Sequence, residues 1–196
     1  MIDFVDFLLR KVYLSKPIPS EIIEISFNKA CEDILYHFPN LDKENVRNKI
    51  ILNSNELAIF LFRLGNEIHM RNLENLKPQI HWLLKELCCC EIYFNNKIDV
   101  GFYIVHGLST VIGSRNHIGK GFVIHQCCTI GKRKNGEGLG CVIGDNVRIY
   151  ANSSIIGDLE VGNNVIIGAH VLITSSLESD TIITSQDFNK IKKILK

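Results

Sequence analysis

The chain has 196 residues, 46% of them hydrophobic, and a formal net charge of +1. That allows one domain or two small ones with a real core, and it excludes a general field that would attract nucleic acid or anionic lipid. Seven cysteines, an odd number, come without CxxC pairs or a secretory leader, so they read as reduced thiols of a cytoplasmic protein, buried as small apolar residues.

The opening stretch MIDFVDFLLRK is apolar with two acids and lacks the basic region of a signal peptide. No apolar run approaches the length of a membrane span. Residues 1–90 read as a helical segment. Ser20, followed by Glu21, Ile22, Ile23 and Ile25, has the pattern of a capped helix start. Asn55 to Leu73 carries Leu57, Phe60, Leu61, Leu64 and Ile68 at helical spacing. Pro78 suits the first turn of a further helix through Ile80, Leu83, Leu84 and Leu87. Pro17, Pro19 and Pro39 punctuate the earlier part.

From residue 91 the period changes. One aliphatic column runs Ile92, Ile98, Ile104, then Ile112, Ile118, Ile124, Ile130, then Ile143, Ile149, Ile155, Val161, Ile167, Ile173. Within each block the step is six. A second inward position, four residues further on, is small or β-branched at Cys128, Val147, Ser153, Val165 and Val171. A six-residue step suits three short strands per coil with a turn at each corner. A single coil cannot bury its apolar face, whereas stacked coils can. The pattern therefore predicts a parallel β-helix over residues 91–186, with residues 187–196 forming a short amphipathic helix.

The repeat breaks twice. The step from Ile104 to Ile112 is eight, and that from Ile130 to Ile143 is thirteen. Breaks in a regular repeat are where function is inserted. Taking the faces in rotation puts Ile92, Ile112, Ile130, Ile155 and Ile173 on the first, Ile98, Ile118, Ile143 and Val161 on the second, and Ile104, Ile124, Ile149 and Ile167 on the third. Two residues after each third-face aliphatic stand His106, Gln126, Ala151 and Ala169. His106 thus heads a row that becomes alanine, at the short insertion. Glu91 lies at the same corner one coil earlier, where a carboxylate could orient the imidazole and stabilise its positive charge. His117 and His170 read as surface turns, and no three-ligand metal spacing joins the histidines.

The segments EIYFNNKIDVGFYIVHG, CTIG and IGDNVRIYANSSIIGDLEVGNNVIIGAHVLI resemble the hexapeptide-repeat acyltransferases, in particular their serine acetyltransferase-like branch. The likeness covers roughly residues 91–175, and FRLG at Phe62 to Gly65 resembles the end of that family's helical part. It implies a left-handed β-helix behind a helical N-terminal domain, and acetyl-CoA as co-substrate without a metal. It also implies His106 as general base with Glu91 as its orienting acid, in place of the usual Asp. Acetyl-CoA would lie between subunits of a homotrimer near Thr129, Gly131, Lys132, Ala151 and Ala169, with the loop from Lys132 to Leu139 over it. A hexamer is the alternative assembly.

Val105, His125 and Gln126 are the expected acceptor-side residues. The resemblance is broken at Val105, where serine acetyltransferases carry Asp, at Leu139 and Gly140, where they carry an Arg-His pair, and by the absence of their helical Asp-Pro. A free amino acid needs paired charges for its ammonium and carboxylate, and Val105 supplies none. The reading at this level is therefore an O-acetyltransferase acting on a saccharide of the capsule, exopolysaccharide or O-antigen type. Serine O-acetylation, amino-sugar N-acetylation and a non-catalytic scaffold are the alternatives.

Overall fold

The computed structural model describes residues 1–132, 138 and 140–185. The anticipated C-terminal helix, and Arg133, Lys134 and Leu139 of the long loop, lie outside the described residues. Five α-helices come first: α1 (Ile2–Leu9), α2 (Ser20–His37), α3 (Lys43–Leu52), α4 (Ser54–Met70) and α5 (Lys77–Cys88). The helix beginning at Ser20 is not capped as its sequence suggested. Pro19 takes the cap position and no side chain closes the turn. The side-chain caps sit further on, at Asp42, which accepts from the Asn45 amide, and at Asn53, which accepts from the Asn55 amide. Pro78 occupies the first turn of α5, as its fixed φ favours.

Helix α4 organises this half. Buried residues lie on every side of it, including Leu57, Phe60, Leu61, Phe62, Leu64 and Ile68, the pattern of a helix surrounded by protein. It packs on α2, α3 and α5 and on the strand Tyr103–Ile104. Arg63 of α4 then joins helices to coils. Its Nε and Nη2 donate to the Asp33 carboxylate at 2.6 and 2.7 Å. Its guanidinium also donates to the carbonyls of Ile98 and Asp99. Asp33 in turn accepts from the amides of Gly101 and Phe102. A charge pair at such depth persists because nearly every donor and lone pair is used.

From Glu91 the chain winds through two- and three-residue strands that form three parallel sheets. The first face stacks Ile92, Ile112, Ile130, Ile155 and Ile173 in register. The second stacks Ile98, Ile118, Ile143 and Val161, and the third Ile104, Ile124, Ile149 and Ile167. The counted aliphatic column ended at Ile173, within a coil expected to run to residue 186. The structure carries the rows further, through a Leu177 bridge to Val161 and through Ile183 beside Ile167. The inward corner residues Cys128, Val147, Ser153, Val165 and Val171 are buried. Buried Asn96 and Asn116 do what aliphatics cannot: Asn96 Oδ1 accepts the Asn116 amide at 2.8 Å, and Asn116 Oδ1 accepts the Cys141 amide at 2.9 Å. They thereby satisfy corner N–H groups that have no strand partner. The apolar residues of helices and coils make one continuous core.

Candidate active site

The corner after the third face is built from a ladder of left-handed residues: Cys89, Ser109, Cys127, Asn152 and His170 all have positive φ. Amides along this corner bond to the coil before, Ser109 to the Cys89 carbonyl, Cys127 to that of Leu108 and His170 to that of Ala151. The eight-residue step adds a second left-handed residue in one coil, His106, with φ 54°. Left-handed residues are regular at the corners of this coil; His106 differs in standing one position earlier than the rest of the ladder, on the inserted residues. The two extra residues are taken up by a tight turn in which the Leu108 amide reaches the His106 carbonyl at 2.6 Å. A second turn follows, from the Thr110 amide to the Gly107 carbonyl. His106 is left exposed, and among the described residues its ring has no hydrogen-bond partner.

Around it stand several of the expected residues. The third-face register, carried one residue on by the bond from the Val105 amide to the Ile124 carbonyl, sets Val105 beside His125. His125 stacks on Tyr150 with ring centroids 4.7 Å apart. Burial holds its pKa below the ordinary value, and the nearby charges of His106 and Arg148 push in the same direction. The Gln126 side-chain oxygen is buried with no hydrogen-bond partner among the described residues, a polar group awaiting a donor. Ala151 is half-buried and Ala169 exposed, leaving the track beyond His106 free of bulk. Thr129 and Gly131 lie on the adjoining first face. Lys132 closes the base of the long loop by donating to the Gly138 carbonyl at 2.7 Å.

Glu91 is not brought to His106. Its backbone is at the corner, bonded to the Thr110 carbonyl. Its carboxylate, however, turns to α5, where it pairs with Lys85 Nζ at 2.9 Å and lies 3.3 Å from His81 Nε2. Counting within the coils could not show this, because both partners belong to the preceding helix. Two residues of functional interest were missed altogether, Asn55 and Glu56 in the first turn of α4. Asn55 Oδ1 accepts the Gly107 amide at 3.0 Å. Glu56 is buried, with one oxygen 3.4 Å from the Tyr103 hydroxyl and 3.3 Å from Lys49 Nζ and the other unpartnered. Nothing in a helical hydrophobic pattern distinguishes them from cap and surface residues.

Among the described residues no cluster of three or more His, Cys, Asp or Glu could hold a metal ion. No helix there is long and apolar enough to cross a membrane, and the cysteines are unpaired.

Repeat, coil and helical segment define a hexapeptide-repeat fold, a helical N-terminal region followed by parallel-strand sheets consistent with a left-handed β-helix, which matches serine acetyltransferase structures. Residues 140–175 match the family model described as bacterial transferase hexapeptide (six repeats). The chain is 27% identical over 137 residues to the serine acetyltransferase of Helicobacter pylori, covering 69% of this chain and 80% of that protein. It is 37% identical over 94 residues to that of Staphylococcus epidermidis, covering 47% and 44%. The crystal structure of Neisseria gonorrhoeae serine acetyltransferase in complex with serine shares its fold, with a TM-score of 0.71 at 20% identity over 93% of this chain and 71% of that one.

These comparisons correct the expectation of a saccharide acceptor, since the relatives and neighbouring structures are serine acetyltransferases. Part of the mistaken inference has a physical explanation. Gly140 was read as the loss of an acceptor-binding histidine. In the structure Gly140 has φ 92° and packs so closely on the backbone of Arg115 that a Cβ would collide with it. Glycine there answers a backbone demand and carries no message about the acceptor.

Proposed function

We propose that the protein is an acetyl-CoA-dependent serine O-acetyltransferase in which His106 acts as general base. The observation that carries the reading is the placement of His106: exposed, in the left-handed region, on the one two-residue insertion of the third-face corner. The similarity to a serine acetyltransferase over 69% of the chain supports serine as the substrate class.

In this reading the His106 imidazole takes the proton of the serine hydroxyl as its oxygen forms a bond to the acetyl carbonyl carbon. The carbon–sulfur bond breaks, and the proton passes from the imidazolium to the departing thiolate of CoA. Base assistance of this kind is worth about 10²–10⁴-fold. The Gln126 amide and the small residues Ala151 and Ala169 line the approach of acetyl-CoA along the corner, with Thr129, Gly131 and Lys132 beside it. A neighbouring subunit of a homotrimer closes the other side. Val105 supplies no charge for the ammonium of serine, so Glu56, whose second carboxylate oxygen is buried without a partner among the described residues, is the candidate for that role.

The test is acetyl-CoA turnover by the purified protein, followed as thiol release with serine, other amino acids, amino sugars and oligosaccharides as acceptors. Release that depends on serine is expected. Serine-independent release, or release only with another acceptor, would overturn the assignment.

A further inference from the structure

The insertion that carries His106 creates a hydrogen-bonding problem. In the regular corners, amides bond to the coil before; two extra residues bring donors that no coil can satisfy. The Leu108 amide turns back to the His106 carbonyl, the Ser109 amide keeps the Cys89 carbonyl, and the Thr110 amide takes the Gly107 carbonyl. The Gly107 amide goes instead to a side chain 52 residues earlier, Asn55 Oδ1, at 3.0 Å. The assignment of oxygen rather than nitrogen is forced, because a backbone N–H can only donate.

The Gly107 nitrogen belongs to the peptide unit that leaves His106, so fixing its direction fixes ψ of His106. Asn55 is well placed to do so. Asn53 already caps α4 by accepting the Asn55 amide at 3.0 Å, which frees the Asn55 side chain to reach across. The following residues of α4 are buried in the core, giving a rigid base for the contact. Gly107 has little room on its other side: a Cβ there would lie 2.7 Å from Ile104 Cγ2.

We propose that Asn55 is a positioning residue for His106, holding the left-handed turn that presents the imidazole. The role rests on the assignment of His106 as base. It makes the helical segment part of the catalytic device, since the turn is held from α4 rather than from within the coil.

The test compares Asn55→Ala and Asn55→Asp with the wild type. In Asn55→Ala the Gly107 amide should exchange faster with solvent by NMR or mass spectrometry. Its kcat should fall about 10–100-fold, as for a displaced catalytic group, with KM for acetyl-CoA changed less than about twofold. Asn55→Asp keeps the acceptor oxygen and should restore most of kcat. A kcat for Asn55→Ala equal to the wild type overturns the proposal, and so does a fall that Asn55→Asp does not relieve. If the wild type acetylates no acceptor, it is the functional assignment that fails. The Gly107 exchange then still judges the contact, and unaltered exchange in Asn55→Ala overturns it independently.

Discussion

His125 illustrates how this corner controls charge one residue at a time. Its ring is stacked on Tyr150 and partly buried, and burial, with help from His106 and Arg148, depresses its pKa below 6.5. A depressed basic group is neutral in the folded state while the unfolded chain still takes up a proton. Below about pH 6.5 the unfolded state therefore binds more protons, and stability falls as pH drops. Above that value the contribution is fully present. Urea unfolding between about pH 5 and pH 8 should show this acid loss, and His125→Gln should flatten it; an unchanged slope would contradict the account. His81, also depressed by burial, would keep part of the slope. At this scale the sequence exposed His106 plainly, because an insertion interrupts a counted period. Its left-handed φ, its tie to Asn55 and the turning of Glu91 towards Lys85 were hidden. Each depends on a helix packing against a coil, which no local pattern encodes.

Elements meet most decisively at Arg63. The guanidinium draws α2, through Asp33, and the first coil, through the Ile98 and Asp99 carbonyls, onto α4. Its side chain is 8% exposed and that of Asp33 fully buried, so removing one charge strands the other without water. Arg63→Ala is expected to cost about 3–5 kcal/mol in chemical denaturation, as for other broken buried pairs. A loss below about 1 kcal/mol, the range of surface pairs, would show that the clamp is incidental. The motif FRLG was visible in the sequence, yet only as a resemblance; that its arginine bridges the two halves follows from Asp33, 30 residues away. The strands were far easier to read. Their aliphatic rows sit in the register the six-residue step demands, because a triangular coil admits one inward residue per face. The exception is Leu177, only four residues after Ile173, where the shortened step hid its place in the second-face row beside Val161. The polar Asn96–Asn116 stack was missed for a related reason: apolar periodicity is blind to buried amides.

For the whole molecule, helices and coils share one core, and the corner that carries His106 is held from both. Helix α4 reaches it through Asn55, the coils through the ladder of left-handed residues. The fold was legible because a repeat states the same instruction many times. The acceptor was misread because single departures, Val105 and Gly140, were made to speak for the whole site, and at Gly140 the residue answers a backbone demand instead. The most direct test of the central claim is O-acetylserine formation by wild type and His106→Ala, assayed by mass spectrometry, with acetyl-CoA binding measured by calorimetry on both. The account predicts O-acetylserine from the wild type, its loss in the variant, and acetyl-CoA affinity retained within a few-fold. A variant that forms O-acetylserine at the wild-type rate, or a wild type that binds acetyl-CoA and never acetylates serine, would contradict it.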